Sequence, residues 1–233
     1  MRDSTRHGEQ LREPQRSPAQ RNPAQRNPTP RSLAKAERRA AILAASARLF
    51  AAAGFNGVSI EDLGAATGVS GPAIYRHFDS KQAVLAALLI GVSEDLVAGG
   101  LAVVDAAPDA AAALRALVAF HVDFALSQPD VIRVQDRDLD SLGEADSHDV
   151  RALQRRYVEL WVDVLGALHP HTETGFLRMR AHAVFGLMNS TPYSTASSVG
   201  MGIATGEGTS PAGSSVRALL ETMAVGALTV DGA

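Results

Sequence analysis

From Ala36 onward, apolar residues recur with the period of an α-helix, and no other feature of the sequence constrains the fold as strongly. The clearest stripes consist of Ile42, Leu43, Leu49 and Phe50, and of Val84, Leu85, Leu88 and Leu89. No segment clearly alternates apolar and polar residues with the period of two that a half-buried strand requires. The sequence therefore predicts an all-α fold.

Glycine and proline divide this helical sequence into segments with short connections. The predicted breaks lie at Gly54, Gly68, Gly99–Gly100, Pro108, Pro129, Gly143 and Pro170. We predict about nine helices: three before residue 80, and six more near 80–98, 109–127, 130–140, 147–168, 173–189 and 214–229. Residues 190–215 are crowded with Gly, Ser, Thr and Pro, and we predict a long loop that is either disordered or spans a dimer edge.

The charges are divided unevenly along a chain whose formal net charge is only −3. Residues 1–40 hold ten Lys and Arg side chains against four Asp and Glu, whereas the rest of the chain holds 12 against 21. The first 34 residues are also rich in proline and poor in apolar side chains, so residues 1–34 are predicted to form a disordered basic arm. Two interpretations stay open: a solvated tail without a partner, or an arm attracted to DNA phosphates.

The segment that follows Val58 carries the signals of two short helices joined by a tight turn. Ser59 and Asp62 can form a capping box at the start of the first helix. Gly68 is placed where a helix ends in a left-handed residue, and Ser70 can cap the second helix. This order is typical of the helix-turn-helix, whose second helix enters the major groove of DNA.

The second of these helices is predicted to be about seven residues long, so its exposed face can be enumerated. Ile74 and Phe78 lie four residues apart and should pack inward. Arg76 carries a guanidinium group that can bind guanine O6 and N7 or a phosphate. The residues predicted to face the groove or its walls are Gly71, Pro72, Ala73, Tyr75, Arg76 and His77. Lys81, at the start of the next helix, would add a phosphate contact.

A resemblance to the TetR family of transcriptional regulators is carried by the sequence Gly68-Val-Ser-Gly-Pro-Ala-Ile-Tyr-Arg-His-Phe78-Asp-Ser-Lys81. It extends upstream through residues 42–55 and covers about residues 38–90. The resemblance implies a three-helix DNA-binding head, a helical body that binds a ligand and dimerises, and release of operator DNA by a small molecule. The implied DNA contacts are Ser59, Ser70, Gly71, Pro72, Tyr75, His77 and Lys81. Gly64 departs from the family, which usually has alanine there, and a glycine within a helix costs about 1 kcal/mol.

Three regions follow from these observations: a disordered arm over 1–34, a helix-turn-helix domain over 35–81, and a ligand-binding and dimerisation domain over 82–233. Small residues in the helices near 173–189 and 214–229 permit close approach between helices. The family resemblance implies that these two helices pair with their copies about a two-fold axis, as a palindromic operator requires. Ordinary packing within one chain is the alternative.

Aromatic residues and two histidines recur at helical spacing in the predicted body. Such stripes are more often core, but an apolar pocket with a few polar anchors uses the same residue types. The candidate ligand-binding residues are Phe120, His121, Phe124, Arg137, Tyr157, Trp161, Met179, His182 and Phe185. Residues 134–138, 151–161 and 185–192 resemble, less specifically, TetR-type regulators associated with acyl-CoA and lipid catabolism. The basic residues that would then meet a CoA phosphate are Arg133, Arg137, Arg155 and Arg178.

The sequence favours no enzyme, cofactor or metal site. Cysteine is absent, which excludes thiolate ligands and nucleophiles. Residues 200–206 hint at a nucleotide-binding loop, but no strand precedes them. The acidic residues between 136 and 146 are more typical of a solvated face than of a catalytic carboxylate pair.

We therefore expect a cytoplasmic homodimer that binds double-stranded operator DNA and a small-molecule effector, which is an acyl-CoA or another apolar ligand. The chain contains no run of about eighteen uncharged apolar residues, so no membrane partner is expected. The expected function is that of a ligand-released repressor. The alternative is a helical small-molecule-binding or scaffold protein without DNA binding.

Overall fold

Nine α-helices and no strand make up the part of the chain that the structure, a computed structural model, describes. That part comprises residues 29–191, 193 and 211–230, with only the backbone of 211–214. The helices are α1 (Pro30–Ala53), α2 (Ile60–Ala66), α3 (Gly71–Ile74), α4 (Lys81–Asp105), α5 (Ala110–Ser127), α6 (Pro129–Asp138), α7 (Glu144–Leu168), α8 (Thr174–Asn189) and α9 (Pro211–Thr229). A 3₁₀ turn over Leu139–Ser141 follows α6. The predicted all-α fold is confirmed.

Helices α1 to α3 form a head that packs on the first turns of α4 and on α6. Its core contains Phe50 of α1, Leu63 of α2 and Ile74 of α3, all fully buried. The predicted capping box is present, because the Ser59 hydroxyl accepts from the Asp62 N–H and the Asp62 carboxylate accepts from the Ser59 N–H at 2.8 Å. Gly68 has the expected left-handed backbone, with φ of +68°.

The turn between α2 and α3 requires a glycine at position 64. The sequence indicated the turn but not this requirement. A Cβ at this position would lie 2.7 Å from the Val69 carbonyl oxygen and 3.0 Å from the Gly71 nitrogen. Both atoms belong to the backbone and cannot rotate away. The glycine therefore allows the turn to fold back on α2, where the Val69 N–H donates to the Gly64 carbonyl at 2.9 Å.

Gly64→Ala is expected to destabilise the protein, although alanine is the better helix former by about 1 kcal/mol. The clash with the turn should outweigh that gain, since overpacking costs about 1–3 kcal/mol. Urea unfolding should show a lower midpoint for Gly64→Ala than for the wild type. Gly91→Ala is the control and should show no decrease, because an added Cβ there meets no atom of the described residues within 4 Å. A Gly64→Ala protein more stable than the wild type would contradict this account.

The body consists of α4, α5, α7, α8 and α9 around a second core. Its largest fully buried side chain is Trp161 of α7, and it includes Leu117 of α5 and Met188 of α8. Helices α4 and α5 are long and apolar enough to cross a membrane by length and composition alone. Both pack against α7 in this core.

Helix α4 runs through Gly99 and Gly100, where the sequence predicted a break. A Cβ on Gly99 would lie 2.3 Å from the Phe120 ring, and one on Gly100 would lie 2.7 Å from the Tyr157 ring. The two glycines therefore let aromatic rings of α5 and α7 approach the α4 backbone. The prediction was wrong because these glycines serve packing between helices, a tertiary effect that local propensity does not contain.

Two other predicted boundaries differ from the structure. Helix α1 begins at Pro30, before the predicted start at 35, because Thr29 caps it by accepting from the Ser32 N–H at 3.2 Å and proline is tolerated in the first turn. Helix α9 begins at Pro211, inside the predicted loop. The predicted arm up to residue 28 and most of the predicted loop over 190–215 lie outside the described residues.

Candidate nucleic-acid interface and effector site

The recognition segment, which we define as Gly71–His77, is shorter as a helix than predicted. Only Gly71–Ile74 is α-helical, and the chain continues in turns to His77. The Ser70 side chain makes no capping hydrogen bond, contrary to prediction. The segment is closed instead by backbone bonds, including one from the Phe78 N–H to the Ile74 carbonyl at 3.1 Å.

The recognition segment turns one face to the core and the other to solvent. Ile74 and Phe78 are buried, as their spacing predicts. The predicted DNA contacts that are exposed are Ser59, Ser70, Pro72, Tyr75 and Arg76, and those that are half-buried are Gly71, Ala73, His77 and Lys81. The Tyr75 side chain is 53% exposed, which is unusual for a large apolar ring and is typical of a binding surface.

One ring nitrogen of His77 lies inside the head. Its Nδ1 is buried and has no hydrogen-bond partner among the described residues, while the residue as a whole is half-buried. A phosphate contact of this side chain would therefore have to use Nε2. The backbone of the same residue is fixed from α1, because the Arg39 guanidinium donates to the His77 carbonyl at 2.9 Å and lies 4.1 Å from the centre of the Phe78 ring.

Lys81 lies where the sequence predicted a phosphate contact, but its ammonium group is used inside the head. It donates to the carbonyls of Phe55 and Val58, both at 2.8 Å, and lies 4.3 Å from the centre of the Phe55 ring. The loop between α1 and α2 leaves these carbonyls without helical partners, and the Lys81 ammonium donates to both. Lys81 thus ties this loop to α4, and its phosphate contact stays a prediction.

Lys81→Met is expected to lower the free energy of unfolding by about 2–3 kcal/mol, because two carbonyls lose a charged donor. Lys35→Met is the matched control, since Lys35 is fully solvated on α1 and its loss should change stability by less than about 0.5 kcal/mol. Equal unfolding midpoints in urea for the two variants would show that the Lys81 contacts do not support the head.

Five of the nine candidate ligand-binding residues come together in the body as a cluster of rings. They are His121, Phe124, Tyr157, Trp161 and Phe185, with neighbouring ring centroids between 4.9 and 6.2 Å apart. Phe120 lies on the same helix as His121 and packs on Gly99 of α4. The Trp161 Nε1 is buried and has no hydrogen-bond acceptor among the described residues. We call these five residues the ring cluster.

His121 is the polar centre of the ring cluster. Its Nδ1 lies 3.3 Å from the Tyr157 hydroxyl, and its Nε2 lies 3.1 Å from Oδ1 of Asn189. Burial lowers the pKa of His121 to about 4, against a weaker opposing effect of the Asn189 hydrogen bond, and burial raises the pKa of Tyr157. The imidazole is therefore neutral, and with Oδ1 of Asn189 as acceptor its proton lies on Nε2.

Four predicted ligand-binding residues lie outside the ring cluster: Phe120, which packs on Gly99 as described above, and three others. Met179 and His182 are on the exposed face of α8, because the buried face is set by Leu177, Ala181, Val184 and Met188. The predicted stripe had a spacing of three, which drifts around a helix by about 60° at each step. The third residue, Arg137, lies at the end of α1. The sequence analysis did not include Asn189 among the candidate ligand-binding residues, although its position four residues after Phe185 places both on one face of α8.

Arg137 connects α6 to the carboxyl end of α1. Its guanidinium donates to the carbonyls of Phe50 and Ala51, the latter at 3.3 Å, and forms an ion pair with Asp138 at 3.1 Å. The Ala51 carbonyl lies in the last turn of α1, where carbonyls lack intrahelical donors, so the guanidinium satisfies it. The Phe50 carbonyl also accepts from the Gly54 N–H at 2.8 Å. Of the other arginines predicted to meet CoA phosphates, Arg178 forms a two-bonded ion pair with Glu159 at 2.7 and 2.9 Å.

An open cleft of about 540 Å³ lies between the head and the body. Its walls come from α1, α4, α5 and α6, and its apolar lining includes Leu43, Gly91, Phe120, Phe124 and Val131. The volume is within the usual range for small-molecule sites, about 300–1,000 Å³. Because Phe124 also belongs to the ring cluster, the cleft borders that cluster at this residue.

Family models match both domains. The model for bacterial regulatory proteins of the tetR family matches residues 42–88, and the model for the tetracyclin repressor-like C-terminal domain matches residues 107–193. The chain belongs to the TetR family. This confirms the resemblance found in the sequence, and it assigns the chain to a family of helix-turn-helix transcriptional regulators rather than enzymes.

Known TetR-family proteins are similar over much of the chain. The HTH-type transcriptional repressor KstR2 of Rhodococcus jostii is 28% identical over 134 residues, which cover 57% of this chain and 66%, slightly less than two thirds, of that repressor. A TetR-family regulator from Bordetella parapertussis has a TM-score of 0.67 at 24% identity, covering 83% of this chain and 94% of its own. FadR of Bacillus subtilis, solved with stearoyl-CoA, has a TM-score of 0.59 at 13% identity, covering 82% and 99%.

Proposed function

We propose that this TetR-family protein is a cytoplasmic, ligand-released repressor that binds a palindromic operator as a homodimer. The observation that carries the proposal is the recognition segment, which presents Tyr75 and Arg76 to solvent while Ile74 anchors it to the head. In helix-turn-helix proteins such a segment enters the major groove, and two copies read two half-sites. The family and its KstR2 relative, described as a transcriptional repressor, support the same function.

The dimer is proposed to form through α8 and α9. Large exposed apolar side chains concentrate there: Phe176, Met179, Leu219, Met223 and Val230. The spacing of Leu219 and Met223 places them on one face of α9, and Val230 directly follows that helix. Cβ atoms added at Gly186 of α8 and Gly226 of α9 would meet no atom of the described residues within 4 Å, so a second chain could approach both helices closely.

Light scattering tests the proposed dimer. The wild type should have the mass of two chains, and Met223→Glu should have the mass of one, because a buried carboxylate without a partner opposes association. Leu101→Glu is the control, since Leu101 is a similarly exposed apolar residue on α4. A monomeric wild type would contradict this part of the proposal.

The effector is proposed to carry a long apolar group, with acyl-CoA thioesters as the class to test first. The apolar lining of the cleft supports the apolar group, and the stearoyl-CoA bound to FadR of B. subtilis supports the thioester. The mouth of the cleft includes Asp95 and Asp123, the latter paired with Arg217 at 2.6 Å. A free acid and its CoA thioester must therefore be compared directly.

Occupation of the cleft would act on the head through its walls. Leu43 belongs to the head, Gly91 and Phe120 belong to the body, and α6 is bound to the end of α1 by Arg137. A ligand releases DNA only if it binds the released arrangement of head and body more tightly than the DNA-bound one. A long apolar group of the ligand that inserts between α1 and α4 meets that condition when it moves the two helices apart.

Operator release measured by fluorescence anisotropy tests the effector. Octanoyl-CoA and stearoyl-CoA should release wild-type protein, while octanoate and stearate should do so less effectively. Gly91→Phe should keep DNA binding but lose release, because its ring fills the cleft from a position where a Cβ has no neighbour. Gly91→Ala, which leaves most of the cleft empty, should respond normally. No release and no calorimetric heat with any acyl-CoA would remove this effector class.

A further inference from the structure

The first half of α1 is an exposed basic helix that takes no part in the core. Every residue from 30 to 41 is exposed, and the first buried residue of α1 is Ile42. This segment holds four basic side chains and one acidic side chain. Because these residues are exposed, packing does not explain their sequence. A solvated helix of this length is also only marginally stable by itself.

Three of the four basic residues share one face. Arg31, Lys35 and Arg38 are separated by four and three residues, which places them side by side on a helix and spreads their charges over about 10 Å. None of the three forms an ion pair with a carboxylate of the described chain. We call this face the basic stripe.

The fourth residue, Arg39, shows where the basic stripe lies. Its guanidinium donates to the His77 carbonyl and stacks on the Phe78 ring, so α1 crosses the end of the recognition segment at this point. The first residues of a recognition helix read base edges, which places its end near the phosphates that border the groove. The basic stripe starts next to Arg39 and extends away from the core.

We propose that the basic stripe of Arg31, Lys35 and Arg38 binds backbone phosphates of the operator, beside the groove that the recognition segment enters. This inference rests on the proposed DNA-binding function and adds a second contact surface to it. The length of the stripe matches about three steps along one strand at 3.4 Å per step. Phosphate contacts carry no sequence information, so the stripe contributes affinity and orientation and leaves selectivity to the recognition segment.

The salt dependence of operator binding measures the contribution of the stripe. Each neutralised phosphate adds about 0.9 to the slope of log K against log salt, and a dimer presents six stripe residues. The full-length R31Q/K35Q/R38Q variant should therefore lower the magnitude of the slope by about 5 relative to the wild type. The ratio of operator affinity to affinity for a scrambled duplex should stay within about threefold of the wild type, since phosphates are read equally in both.

R115Q/R151Q/R156Q is the matched control, because it removes the same charge from exposed positions on the body. Its slope should stay close to the wild-type slope. A stripe variant with the same slope as this control would overturn the inference, provided that circular dichroism and thermal unfolding show both variants folded. A variant in which only Lys35 and Arg38 are replaced should show about two thirds of the decrease in slope. This variant keeps Arg31, so it tests whether the triple variant acts by unfolding the start of α1.

Failure of the proposed function gives a different result. In that case the wild type does not distinguish the operator from the scrambled duplex, and Tyr75→Ala leaves binding unchanged. The salt titration on nonspecific duplex still tests the inference in that case, because removing the stripe should lower the magnitude of that slope whether or not an operator is recognised. An unchanged nonspecific slope in R31Q/K35Q/R38Q would again overturn it.

Discussion

Tyr75→Ala and His77→Ala should each lower operator affinity by about 100-fold, and Tyr75→Ala should leave the fold intact. Each change removes one contact from each half-site, and a hydrogen bond to a charged phosphate contributes about 1.5 kcal/mol, so two lost contacts amount to about 3 kcal/mol. The fold is unaffected by the loss of Tyr75 because its side chain is 53% exposed. Anisotropy titrations at fixed salt measure the loss.

Tyr193→Ala is the control for these variants. Tyr193 is also 53% exposed, but its hydroxyl donates to Asp136 at 3.0 Å, and it lies four residues beyond the end of α8 rather than on the head. Its operator affinity should equal that of the wild type. If Tyr193→Ala and Tyr75→Ala bind operator equally well, the recognition segment does not read DNA in the way that we propose.

The contribution of His121 to the free energy of unfolding should fall by about 3 kcal/mol as the pH decreases from 6.5 to 4, because its imidazole is protonated much less readily inside the ring cluster than in the unfolded chain. Burial lowers the pKa of His121 from its usual 6.5 to about 4. Between pH 6.5 and pH 4 the unfolded chain therefore binds a proton at His121 that the folded chain does not bind. The stabilisation is complete above pH 6.5 and is lost as the pH falls towards 4.

His121→Gln isolates this contribution. Glutamine keeps a polar group near Tyr157 and Asn189 but has no proton to gain, so the variant should lose less stability than the wild type between pH 6.5 and 4. His182→Gln is the control, because His182 is exposed on α8, and its profile should run parallel to that of the wild type. Urea unfolding at several pH values gives the comparison. Parallel profiles for His121→Gln and the wild type would contradict the buried neutral imidazole.

The head could be predicted from the sequence because its signals are local. The capping box of Ser59 and Asp62, the left-handed Gly68, and the burial of Ile74 and Phe78 all depend on residues within a few positions of one another. The role of Lys81 could not be predicted in this way. Its partners lie 23 and 26 residues away, and only the folded head shows that their carbonyls need a donor.

The body was predicted less completely because its details depend on contacts between distant helices. The sequence showed that His121, Tyr157 and Trp161 belong to apolar stripes, and the structure brings them together. It did not show that Gly99 and Gly100 continue α4, because the rings that require them belong to α5 and α7. The partner of His121, Asn189, is 68 residues away in the chain.

Selection of bound fragments from the organism's own genomic DNA, followed by footprinting, tests the central claim most directly. The wild type should enrich a small set of fragments and protect two inverted half-sites in each, because a two-fold dimer presents two recognition segments. A double variant, Tyr75→Ala with His77→Ala, should enrich none of them. Equal enrichment by the double variant and the wild type, or no protected half-sites, would contradict operator recognition by this head.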